Sequence, residues 1–193
     1  AIQKVLKKEW VPLVVIVIIA VLMADVIGKL TKTTSKDNSS KTTTKAATYE
    51  AIADTMEFDI SDDAIAFIND NPQFFPGNSS NTGAISDHID FSMDYAHVAK
   101  NPFKYSDRLM CIFGEVVDCQ ELEESGKTLT YVQIEDYSGY DYCLYYLGEL
   151  PNVFEGNDVT VTFLPFNVIT FENIGGYYTK AIVGAACYVN YAE

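Results

Sequence analysis

Five tyrosines fall within residues 137–146: Tyr137, Tyr140, Tyr142, Tyr145 and Tyr146. A tyrosine ring joins apolar area to a polar tip, which suits a protein interface or the face of a sugar ring. On a β-sheet such rings can also stack on the bases of a single strand, provided a basic groove tracks the backbone. Here Glu135, Asp136 and Asp141 flank the rings, and Lys127 is the nearest cation in sequence. The electrostatic half of a nucleic-acid site is missing from this stretch, which counts against nucleic acid as a partner. The five tyrosines are the candidate ligand-binding residues. The competing expectation is that about half of them simply fill a core.

Catalysis has less to rest on. His88 and His97 are the only histidines of the chain, one in a polar loop and one in an amphipathic stretch. No G-x-S-x-G nucleophile elbow and no Walker or Rossmann glycine motif occurs. Glu123-Glu124 and Glu135-Asp136 sit at turns, where a solvated charge is the ordinary state. Asp87, Asp90 and Asp94 could share a helix face, but their spacing is not that of an EF-hand loop. Cys111, Cys119, Cys143 and Cys187 form no C-x-x-C pair and have no histidine close by in sequence, which argues against zinc. Each lies in an apolar or aromatic run and reads as a small buried hydrophobe. In an oxidising compartment they could pair, with the connectivity open. The sequence offers no catalytic residue, no metal ligand set and no cofactor motif, and it reads as non-enzymatic.

The elements that carry the tyrosines are strands. Residues 109–120 are β-rich, with Gly114 in mid-run where a bulge or bend is expected. Residues 128–136 alternate, Leu129, Tyr131, Gln133 and Glu135 on one side and Thr130, Val132, Ile134 and Asp136 on the other. Ser138-Gly139 reads as a hairpin turn into 141–148. After a connector over 150–156, strands follow over 158–166 and 179–191, separated by a turn around Gly175-Gly176. Five short strands with a long connector after the third predict an OB-type Greek-key barrel, with the tyrosines on strands two and three, its usual ligand face. Upstream, Ser61-Asp62-Asp63 predicts the start of a helix over 64–69 that Asn71-Pro72 ends. Residues 76–88 read as an exposed, turn-rich loop.

The N-terminal part is of another kind. Trp10 to Ala24 is uninterrupted apolar sequence, extended by Val26 and Ile27 past Asp25. That approaches the ~20 residues a helix needs to cross a bilayer. Pro12 suits a first turn, and Trp10 with Lys7 and Lys8 suits the interface. No clean cleavage site follows. Residues 31–48 are a Thr/Ser/Lys run with almost nothing to bury, the composition of a flexible tether. The lysines on either side of the apolar stretch nearly balance. A short tail before a large domain nevertheless suits a signal anchor that leaves the domain outside the cytoplasm.

Charge divides the chain in the same place. Residues 1–49 hold eight lysines against three acids, a net of +5. Residues 50–193 hold four lysines and one arginine against 24 acids, a net of −19. So acidic a domain repels polyanions at long range.

Some segments resemble a known group. Asn101-Pro102-Phe103-Lys104-Tyr105 followed by Cys111-Ile112-Phe113-Gly114-Glu115-Val116 is similar to the opening of OB-fold (tRNA_anti-like) domains in membrane-anchored Gram-positive proteins. Gly156-Asn157-Asp158-Val159-Thr160-Val161 resembles the entry to their fourth strand, and Phe171 to Gly176 their last hairpin. The resemblance implies a fold and a compartment, not an activity. The expected organisation is a tail over 1–9, a transmembrane helix over 10–28, a linker over 29–48, a helical extension over 49–100 and the barrel over 101–193. The expected function is a membrane-tethered, extracytoplasmic, non-catalytic binding module. Its partners would be the membrane and an envelope protein or glycan; the alternatives are a single-stranded nucleic-acid binder or an enzyme with an unrecognised site.

Overall fold

Five strands close on themselves: β1 (Met110–Glu124), β2 (Lys127–Asp136), β3 (Asp141–Tyr146), β4 (Asp158–Glu172) and β5 (Tyr178–Tyr191), in the order β1-β2-β3-β5-β4. Every pairing is antiparallel except β3 with β5. This is the OB-type barrel the strand pattern predicts. The computed structural model describes residues 44–124, 127–172 and 178–191.

Closure depends on β1 serving two neighbours. Met110–Glu115 pair with β4, and Gly114–Glu124 pair with β2. Gly114 stands at the crossover, where a Cβ would lie 2.5 Å from the carbonyl oxygen of Glu135. The bulge expected at this glycine falls instead between Val116 and Asp118. Gly114 is there for the close approach of the β2 backbone.

The strands bury both faces. Val132, Ile134, Tyr142, Leu144, Phe163 and Ile182 fill the barrel interior. Leu129, Tyr131, Cys143, Tyr145, Phe166 and Val183 point the other way, into a second apolar layer roofed by the N-terminal helices. Alternation with a period of two sends successive side chains to opposite layers.

The helices are α1 (Lys45–Met56) and α2 (Asp62–Asp70), then the short α3 (Thr82–Asp87) and α4 (Tyr95–Lys100). The Thr44 side chain caps α1 through the Ala47 amide, and Glu57 ends it in the left-handed conformation at φ 58°. Ser61 caps α2, with Asp62 and Asp63 in its first turn favoured by the helix dipole. Tyr49, Ile52 and Ile68 are fully buried where these helices meet the sheet. Two expectations differ here. α1 starts inside the run read as tether, because Tyr49 and Ile52 give its last turns an apolar face to bury. Residues 82–87 are helical, pinned by buried Ile85, rather than an exposed loop.

The apolar segment expected to span a membrane over 10–28 lies outside the described residues. Among the described residues no helix is long and apolar enough to cross a membrane. The single-pass anchor therefore has no support among the described residues, and the extracytoplasmic placement that depended on it is not carried further.

Candidate aromatic binding site

The five candidate tyrosines do not share a face. Tyr142 is 1% exposed inside the barrel, its ring 5.8 Å from that of Phe163. Tyr145 is also 1% exposed, but in the outer layer, stacked on Phe58 and tilted against Tyr131. Tyr146 is half-buried. Only Tyr137 (67%) and Tyr140 (42%) are open to solvent. The β2–β3 face expected to hold ligand is roofed by α1 and α2, so the tyrosine face read from the sequence is corrected to two rings in the turn.

The fold gives those two rings new partners. Tyr140 lies parallel to Tyr95 of α4, with centroids 4.1 Å and planes 6° apart. Tyr137 leans on Phe113 of β1, with centroids 5.4 Å apart. Phe113 is 51% exposed. Its outward orientation follows from alternation along β1, where Cys111, Phe113 and Glu115 are exposed and Ile112, Gly114 and Val116 are buried. Met93, Tyr95, Phe113, Tyr140 and the edge of Tyr142 border an open cleft of about 370 Å³.

Asp136 builds the turn that presents the rings. One carboxylate oxygen accepts from the amides of Ser138 (2.8 Å) and Tyr140 (3.0 Å), and the other from the Tyr142 hydroxyl (3.1 Å). Gly139 supplies the positive φ of 83° that the turn needs. Tyr95 is anchored by its hydroxyl to the carbonyl of Lys180 at 3.1 Å. Tyr137 donates to Asp158.

The hydroxyls of Tyr137 and Tyr95 are both held in the neutral form. The hydrogen bond to Asp158 raises the Tyr137 hydroxyl above its usual range, and the charges of Asp158 and Glu115 act in the same direction. Partial burial raises Tyr95, with Asp141, Tyr140 and Asp136 adding to it. Burial likewise raises the Asp141 carboxyl, although Gln133 donates to it at 2.9 Å.

The few cations of the domain are not spread evenly. Lys100, Lys104 and His97 line a second open cleft, of about 610 Å³, with Asn101 and Tyr105. Ala96 borders both clefts, so they adjoin across α4. The sequence placed Lys127 beside the tyrosines, but it opens β2 opposite Glu124, at the far end from the Asp136 turn.

The histidines and cysteines form no reactive centre. His88 packs edge-on against Phe67 and Phe74, and His97 is held by Asp94 at 2.7 Å. The four cysteines are free; Cys143 and Cys187 are buried as expected, whereas Cys111 is exposed and Cys119 half-buried. Among the described residues no group of three or more His, Cys, Asp or Glu side chains could hold a metal.

No family model and no curated protein matches the chain. Among solved structures it is similar to the mitochondrial single-stranded DNA-binding protein Rim1 of S. cerevisiae. The likeness has 16% identity and a TM-score of 0.31, covering 44% of this chain and 92% of that one. A selenomethionine form of the same protein matches with 16% identity and a TM-score of 0.30, over 44% and 94%. These likenesses concern the fold.

The envelope-facing reading does not survive. The tyrosine face on which it rested is buried beneath α1 and α2. The case against nucleic acid rested on rings flanked by acids and on the net charge of −19 over residues 50–193. The first part is corrected, because α4 sets a lysine-lined cleft beside the exposed rings.

Proposed function

We propose that the barrel is a non-catalytic binding module for single-stranded nucleic acid. Unpaired bases stack at the turn end of the barrel, on Phe113, Tyr137 and Tyr140. The observation that carries this reading is the pair of aromatic contacts, Tyr95 on Tyr140 and Phe113 on Tyr137, held open to solvent beside one cleft. Base stacking on such a ring contributes about 1–3 kcal/mol and tolerates any sequence. The net charge of −19 over residues 50–193 sets the mode. Binding is short-range, driven by stacking, and involves few phosphates. A test is ultraviolet crosslinking of a halogenated single-stranded oligonucleotide to the full chain, with the adducts mapped by mass spectrometry. Adducts at Phe113, Tyr137 or Tyr140 support the reading; adducts confined to other surfaces refute it.

Glu115 and Asp158, both close to Tyr137, favour a second reading in which the rings receive a basic peptide. An oligolysine that binds the full chain and displaces no oligonucleotide would separate the two.

A further inference from the structure

The cleft on the other side of α4 is lined by two lysines and by no carboxylate. Residues 50–193 contain only five Lys and Arg, and two of them, Lys100 and Lys104, border it. The acids that flank it in sequence, Asp94 and Asp107, are both occupied: Asp94 accepts from the His97 amide at 2.9 Å and meets the His97 ring at 2.7 Å, and Asp107 accepts from Arg108. Arg108 is tied to Asp90 and Asp107, each at 3.0 Å. Lys100 and Lys104, by contrast, have no ion-pair partner among the described residues. Lys104 stands over the Tyr105 ring at 5.1 Å, and Asn101, between the two lysines in sequence, adds an amide donor.

We infer that this cleft binds the phosphodiester backbone of a single strand whose bases stack on the adjoining rings. Lys100 and Lys104 neutralise the phosphates, with the Asn101 side-chain amide donating a hydrogen bond. The inference rests on the nucleic-acid reading and specifies the path of the strand. The backbone crosses α4 at Ala96, which is exposed and borders both clefts. Lysines elsewhere in the domain would not share this role: Lys127 opens β2 and Lys180 lies on β5.

The test is a titration of the isotope-labelled full chain, followed by nuclear magnetic resonance at low salt. Two probes are used: an abasic phosphodiester oligomer, and a base-containing single strand of the same length. The abasic oligomer is expected to shift the amides of residues 96–105 and not those of Phe113 and Tyr137. The double substitution Lys100→Gln, Lys104→Gln should abolish those shifts. For the base-containing strand it should weaken binding on the order of tenfold and reduce the slope of log K against log salt by about 1.4, the release expected for two phosphates. If the base-containing strand shifts only the ring residues and the double variant leaves affinity and salt slope unchanged, the cleft is overturned and base stacking stands. If the abasic oligomer binds at residues 96–105 and bases add nothing, the cleft stands and base stacking falls. If neither probe shifts any residue at low salt, both are overturned.

Discussion

Tyr49, on the first described helix, donates its hydroxyl to the carbonyl of Tyr145 on β3 at 3.4 Å, with both rings out of solvent. The contact ties the helical extension to the strand whose outer face would otherwise be free. It also explains why the tyrosine-rich sheet is not a binding surface. Tyr49 packs edge-on against Phe75 and Phe166, while Phe58 stacks on Tyr145 and Phe166, so the layer is a core.

Tyr145→Ala is therefore expected to destabilise the fold by about 3–5 kcal/mol, as for other large-to-small aromatic changes in cores. Tyr140→Ala, at an exposed ring, should cost about 1 kcal/mol. Urea unfolding of the two variants checks the contrast. Equal losses would mean that the β2–β3 outer face is not buried as described.

Gly184 and Gly139 separate two reasons for glycine. At Gly184 a Cβ would meet the carbonyl oxygen of Leu164 at 2.4 Å and the Phe163 ring at 2.9 Å, so Gly184→Ala should cost about 3 kcal/mol by forcing β4 and β5 apart. At Gly139 nothing lies within 4 Å, but φ is +83°. Gly139→Ala should cost only the ~1–2 kcal/mol of a left-handed residue. Thermal unfolding of both variants ranks them.

The thiols should react in the order of their burial. Cys111 is exposed. Burial, with Glu121 and Asp118, pushes the half-buried Cys119 thiol up to about 11, and burial pushes Cys143 up to about 12. Cys187, fully buried, is also raised. A chromogenic disulfide reagent at pH 8 should label Cys111 quickly and Cys119 slowly in the native protein. It should reach Cys143 and Cys187 only on unfolding. Rapid labelling of Cys143 would contradict the roof of helices over β3.

Asp90 gives an acid limb with a defined sign. Hydrogen bonds from Ser92, then from Arg108, hold its carboxyl at about 2. A carboxyl lowered by folding stabilises the native state above its unfolded value, near 4, and loses that contribution as pH falls towards 2. Asp90→Asn should be less stable than the wild type at pH 6 and equal to it near pH 2. A difference in urea midpoint that persists unchanged at pH 2 would count against the Ser92–Asp90–Arg108 cluster.

The barrel could be read from the chain because its signals are local. Alternation over 128–136, the Ser138-Gly139 turn and the long connector after β3 each place a strand without reference to the others. The site could not be read in the same way. Alternation says that Tyr142 and Tyr145 face opposite ways, but not that α1 and α2 cover the outer face, since that depends on contacts between Tyr49 and residues nearly a hundred positions later. Phe113 and Tyr95 carried a usable signal. Phe113 shares a strand face with Cys111 and Glu115, and Tyr95 follows the Asp94 cap. Their meeting with Tyr137 and Tyr140 is a product of barrel closure. Sequence proximity also misled the electrostatics, because Lys127 is near the tyrosines along the chain and Lys100 and Lys104 are near the exposed rings in space.

The most direct test of the account is equilibrium binding of a fluorescent single-stranded oligonucleotide to the full chain, compared with the double variant Phe113→Ala, Tyr140→Ala. The wild type is expected to bind at low salt, and the variant at least tenfold more weakly, while remaining folded with a cooperative urea transition at a modestly lower midpoint. Wild-type binding that the variant retains in full, or no binding by the wild type at low salt, would contradict it.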